Sequence, residues 1–90
     1  MQEIILISFL GPDQPNQFTR LMQVLSVHSL QILDVGQAVI HNQLTLGIVV
    51  SSDDQTATAL AMKDILILAH DIGLTVRFKP ITGTDYDQWV

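Results

Sequence analysis

Apolar positions run almost unbroken from Ile4 to Leu10 and stop at Gly11-Pro12-Asp13-Gln14-Pro15. A short continuous run predicts a strand covered on both faces or lying centrally in a sheet, closed by a sharp loop. Phe18, Leu21, Met22 and Leu25 then recur at helical spacing, which predicts a helix from Gln17 to about His28. Pro15 and Asn16 suit its first turn, and Asp13 or Asn16 is placed to cap it. Ile32 to His41 reads as a strand, with Gly36 marking a bulge or close backbone approach. After Asn42-Gln43 the alternation is clean, with Leu44, Leu46, Ile48 and Val50 on one face and Thr45, Gly47 and Val49 on the other. The two runs form a hairpin, with Asn42 supplying the turn.

Asp53-Asp54 precede a second helical stretch, where acidic charge suits the positive end of a helix. At about 100° per residue its buried stripe is Ala61, Ile65, Leu68 and Ile72, flanked by Met62, Leu66 and Ala69. Gly73 stops it. From Leu74 to Ile81 the pattern alternates again, with Leu74, Val76 and Phe78 inward and Thr75, Arg77 and Lys79 outward. Thr82 to Val90 is a polar, turn-prone tail ending in Trp89 and Val90.

The predicted order is β-α-β-β-α-β. Two right-handed crossovers around a hairpin give an α+β, ferredoxin-like sandwich: a four-stranded antiparallel sheet with two helices on one face. The length of 90 residues allows a single domain, and 48% hydrophobic residues with 14% charged ones fit a folded chain. A formal net charge of -5, with Arg20, Lys63, Arg77 and Lys79 scattered, argues against nucleic acid and anionic membranes as partners. Without cysteine there is no disulfide and no thiolate metal site. No basic leader or membrane-length apolar run is visible, so the chain reads as cytoplasmic.

This fold serves many functions, so candidate chemistry has to come from particular residues. The third strand lacks the stacking aromatics of an RNA-recognition sheet, and the first loop lacks a phosphate-holding arginine. His28, His41 and His70 fall at a helix end, a hairpin tip and a helix face, and read as surface or capping histidines. No catalytic residue, metal ligand or cofactor is assigned to this chain. The loop Gly11-Pro12-Asp13-Gln14-Pro15-Asn16 is more informative. It leads into a helix start, where free N–H groups and the positive dipole end favour a carboxylate. Gly11 permits close backbone approach, and Asp13 is suited to an ammonium group; an amino acid carries both charges. An ordinary strand-to-helix turn stiffened by two prolines accounts for the same residues. Leu60 and Ile67, among Lys63, Asp64, His70 and Asp71, are either scattered surface residues or part of a contact with another subunit.

Gly11-Pro12-Asp13-Gln14-Pro15 resembles the Gly-x-Asp-x-Pro turn that opens the first helix of many ACT domains. The segment from Leu33 to His41, with Leu44-Thr45-Leu46-Gly47, is similar to a narrower group, the amino-terminal ACT domain of bacterial phosphoserine phosphatases. Ala69 to Ile81 resembles that group too, as does Tyr86-Asp87-Gln88-Trp89 in the tail. The likeness covers essentially the whole chain.

The resemblance implies residues 1–82 as an ACT-like regulatory domain and residues 83–90 as the start of a linker toward a catalytic domain not present here. In such enzymes that domain is a haloacid-dehalogenase-type hydrolase, with an aspartate nucleophile in an Asp-x-Asp motif and magnesium. Asp85-Tyr86-Asp87 follows a turn and lacks the apolar strand of that motif. By the same analogy a small amino acid, L-serine, binds between the two modules of a homodimer. Gly11, Asp13 and Asn16 would face it, with Asp34 and Gly36 contributed across the interface. Many ACT turns carry Gly after the proline, where this chain has Asn16. Asparagine tolerates left-handed backbone better than most residues but brings a side chain toward the ligand. Two other readings stay open: a ligand-free dimerisation or docking domain, and a stand-alone ACT regulator of amino-acid metabolism.

Overall fold

A computed structural model describes residues 3–81. It contains β1 (Glu3–Pro12), α1 (Gln17–Val27), β2 (Gln31–Ile40), β3 (Gln43–Ser52), α2 (Gln55–Asp71) and β4 (Thr75–Ile81). The strands form one sheet in the order β2-β3-β1-β4, every neighbour antiparallel. This is the expected ferredoxin-like arrangement, and the apolar run of β1 does lie centrally. The proposed linker from residue 83, with Tyr86 and Trp89, lies outside the described residues.

Alternation decides which face of the sheet the helices cover. Ile5, Ile7 and Phe9 of β1 and Leu44, Leu46, Ile48 and Val50 of β3 are buried on one face. Leu21 and Leu25 of α1 and Ala61, Ile65 and Ala69 of α2 complete the same cluster. The small residues Ala61 and Ala69 let α2 approach closely, so the stripe runs through Ala69, while Leu68 is only half-buried. Leu66, expected beside the stripe, is 53% exposed. In α1 the stripe runs Gln17, Leu21, Leu25, and Phe18 turns partly outward.

Two turns follow their local chemistry. His41 and Asn42 both have positive φ, 50° and 63°, the two-residue geometry that matches the twist of a hairpin. Asn42 supplies half of that turn and His41 the other half. Gly73 has φ 78° just after α2, where a left-handed residue ends the helix.

The bulge in β2 is not at Gly36, which pairs regularly with Gly47. It falls between Ile32 and Asp34, with Leu33 as the extra residue. Its consequence is large. Ile32 pairs with core-facing Val50, but Asp34 pairs with Val49, whose side chain points away from the helices. One inserted residue therefore reverses the facing of the strand that follows. Asp34, Gly36 and Ala38 lie on the helix-free face; Val35, Gln37 and Val39 lie on the helix side.

Candidate functional site

The first loop, the start of α1 and the hairpin tip meet at one end of the sheet. Gly11 pairs with Leu44 and Pro12 with Gln43, the last rungs before the β2-β3 turn. The Asp13 N–H donates to the Asn42 carbonyl at 2.8 Å, tying the loop to that turn. Gln17 fixes the loop from below. Its Oε1 accepts the Gln14 N–H at 2.9 Å, and its Nε2 donates to the carbonyls of Pro12 at 2.9 Å and Ile72 at 3.4 Å. Buried to 3% exposure, it is the most important residue that the periodicity missed. The available signal was its place four before Leu21 and eight before Leu25.

Asn16 occupies the N-cap of α1 with φ 68°, and its side chain makes no capping hydrogen bond. That differs from the capping expected of it. In left-handed backbone the side chain is not carried over the first-turn amides, as an extended N-cap residue's would be. The first helical bond runs from Arg20 N–H to the Asn16 carbonyl. The N–H groups of Phe18 and Thr19 find no acceptor among the described residues. Both residues line a cavity of about 150 Å³, together with Asp13, Gln14, Asn16, Gln17, Gln37 and Leu44. It is a polar concavity with room for a small molecule. Free amides at the positive end of a helix suit a carboxylate, and the exposed Asp13 stands beside them for a cation.

The five sequence-derived positions divide into three groups. Asp13 and Asn16 line this cavity. Gly11 does not. A Cβ there would sit 2.7 Å from the Gly73 carbonyl oxygen and 2.9 Å from Leu74 Cδ2, so the close approach it permits is to its own chain. Asp34 and Gly36 line a different concavity of about 290 Å³ with Leu6, Ser8, Gly47 and Val49, on the helix-free face. From β2 it is Gln37 that reaches the cavity at α1.

At the opposite end of the sheet, the second and third amides of α2 are already taken. Asp54 Oδ1 accepts Thr56 N–H at 2.9 Å and Ala57 N–H at 3.2 Å. Ser52 Oγ accepts the Asp54 N–H at 3.1 Å. A shallow groove of about 570 Å³ lies there, lined in part by Val27, Ser51, Asp53 and Leu60. His28 Nε2 lies 2.7 Å from Asp64 Oδ2, joining the end of α1 to α2. Among the described residues no three His, Cys, Asp or Glu side chains converge as a metal-binding group. No helix among them is long and apolar enough to cross a membrane.

β2 is an edge strand of ten residues whose outer rim pairs with no other strand among the described residues. Ile32, Val35, Val39 and Ile40 on it are 40%, 39%, 46% and 69% exposed. A long apolar edge with unsatisfied backbone groups is a template for pairing with another strand.

Comparison with known proteins places this geometry in context. The family model for the ACT domain matches residues 3–79. Phosphoserine phosphatase SerB2 of Mycobacterium tuberculosis (strain ATCC 25618 / H37Rv) is 40% identical over 76 residues, 83% of this chain and 19% of that enzyme. The chain thus spans about a fifth of that relative's length. Among solved structures, a protein described as a glycine cleavage system transcriptional repressor superposes with a TM-score of 0.84 at 16% identity, over 91% of this chain and 47% of the other. An ACT domain protein from Streptococcus pneumoniae superposes with a TM-score of 0.74 at 18% identity, over 87% and 89% of the two chains.

Proposed function

This chain belongs to the ACT domain family, and from that premise we propose that it is the amino-acid-binding regulatory and dimerisation domain of a phosphoserine phosphatase. Its ligand is L-serine, bound at the start of α1. The carboxylate meets the amides of Phe18 and Thr19, and the ammonium group meets Asp13. The observation that carries this reading is that unsatisfied helix amides and an adjacent carboxylate belong to residues lining one small cavity. The 40% identity to the SerB2 segment supports the choice of enzyme class.

Two copies associate through their β2 edges, which joins two four-stranded sheets and covers Ile32, Val35 and Val39. Gln37 sits on that strand and lines the cavity, so dimerisation and ligand binding share an element. Ligand that favours one arrangement of the paired strands shifts the population of that arrangement, and thereby the attached enzyme. The exposed β2 edge also favours a second reading, a dimerisation domain that binds no amino acid.

Calorimetric titration with L-serine, alongside glycine and phosphoserine, tests the choice. Asp13→Asn is the informative control, because it removes a charge from the cavity wall without touching the fold. Saturable serine binding that weakens in Asp13→Asn supports the sensor. A flat titration from folded, dimeric protein overturns it in favour of the second reading.

A further inference from the structure

The sheet face away from the helices is not uniformly open, although no described element lies over it. Down β3 on this face come Ser51, Val49, Gly47 and Thr45. Ser51 is 2% exposed and Val49 3%, whereas Gly47 is half-buried and Thr45 exposed. Beside them on β1, Ile4, Leu6 and Ser8 are half-buried and Leu10 is 55% exposed. Ile81, paired with Ile4, ends the edge strand β4 and is nevertheless buried to 8% exposure. Side chains stand perpendicular to a sheet, so on a bare face their tips meet water, and a buried isoleucine at the end of an edge strand needs a cover. Burial is deepest where the chain leaves β4 and fades along the strands toward Leu10.

From this gradient we infer that residues 82–90 of the same chain turn back from Ile81 and lie along this face, over Ile81, Val49 and Leu6. The burial belongs to a single chain, so its occupant comes from that chain. Of the two stretches that flank the described residues, 1–2 and 82–90, the second has the length and the aromatic side chains to cover several rows. Thr82-Gly83-Thr84 is a turn-prone sequence directly after Ile81, and Tyr86 and Trp89 follow it. From Ile81 to Arg77 the face runs about 14 Å at about 3.4 Å per residue, and the stretch from Asp85 to Val90 reaches about 20 Å when extended. Gly36 and Gly47 pair across β2 and β3 and leave a trough beside Leu6 and Val49, the place for an aromatic ring. Charge sets the orientation: Asp85 and Asp87 go toward Arg77 and Lys79 on β4 and away from Asp34 on β2. Exposed ion pairs contribute little, so apolar cover carries the contact. In the proposed function the same segment leads toward a catalytic domain, and its seating limits where that domain can stand. That consequence rests on the proposed function; the seating itself does not.

Trp89 is the chain's only tryptophan and reports on the contact directly. In the intact chain its quenching by acrylamide should be several-fold weaker than in the denaturant-unfolded chain, and equal at micromolar and millimolar concentration. Methyl NMR should show ring contacts from Tyr86 or Trp89 to Val49, Leu6 or Ile81. Gly36→Glu blocks the trough without straining the fold, because a Cβ there meets nothing within 4 Å, and circular dichroism checks that the variant is folded. Its carboxylate should raise Trp89 quenching several-fold, while Gly36→Ala should leave it at the parent value. Trp89 as freely quenched in the folded chain as in the unfolded one overturns the inference, as do ring contacts to another surface alone. Gly36→Glu indistinguishable from the parent overturns it too. Protection that grows with concentration does the same, by assigning the cover to another molecule. L-serine takes no part in these readouts, so their failure is distinct from failure of the sensor reading.

Discussion

Helices α1 and α2 both begin just beyond a strand end, and they finish their first turns in opposite ways. At α2, Asp54 adopts extended backbone and turns its carboxylate onto the Thr56 and Ala57 amides, so the helix start is chemically closed. At α1, Asn16 sits in left-handed backbone, its side chain caps nothing, and the polar work passes to Gln17 beneath the loop. The first arrangement gives stability at the N-cap. The second gives up that contribution and leaves uncapped the amides of residues that line a cavity with Asp13 on its wall. The larger groove lies at the closed end and the smaller cavity at the open end, so volume and the availability of helix amides rank the two ends differently.

That contrast can be broken most severely at Gly11. Gly11→Val drives a side chain into the Gly73 carbonyl and should cost about 3 kcal/mol, measured by denaturant unfolding. A loss of ligand binding in that variant would therefore report a damaged loop rather than a lost contact. Gln17→Leu comes next. It strips partners from the Gln14 amide and the Pro12 and Ile72 carbonyls, and unfolding should register a loss of about 2 kcal/mol. Asp54→Ala removes a true cap and should destabilise by about 1 kcal/mol. Asn16→Gly removes none and suits the left-handed backbone, so its stability should stay within about 0.5 kcal/mol of the parent. Equal losses at positions 54 and 16 would erase the distinction between the closed and open helix starts. Asp13→Asn should be nearly silent in unfolding and visible in the serine titration, because the side chain is exposed.

Much of the architecture was legible because two periodicities dominate the chain. The clean alternation of Leu44, Leu46, Ile48 and Val50 fixed the inner face of β3, and all four are buried. The Gly73 stop and the Asn42 turn followed from backbone sterics that act within a few residues. Structure and pattern differ where the larger apolar residue does not take the buried place. The apolar spacing of α1 includes Phe18 and passes over Gln17, yet Gln17 has three partners to satisfy its amide while buried. Leu68 was favoured over Ala69, yet the smaller side chain fits where α2 lies against the sheet.

The candidate site was legible only in part. Asp13 and Asn16 could be placed at a helix start from local spacing, and both line the cavity. Asp34 and Gly36 could not be assigned a face, since the answer depends on a bulge at Leu33 that leaves no glycine or proline in the sequence to mark it. Gly11 announced a close approach without saying to what, and the neighbour is Gly73, sixty-two positions away.

By itself, then, the sequence determined the element order, the turn positions, the inner face of the sheet and the loop that opens α1, because each depends on side-chain period and local sterics. Tertiary structure alone decided which helix start stayed open, which face Asp34 took and what Gly11 touches. Those outcomes depend on strand register and on contacts between residues far apart in the chain, where a shift of one residue reverses the result.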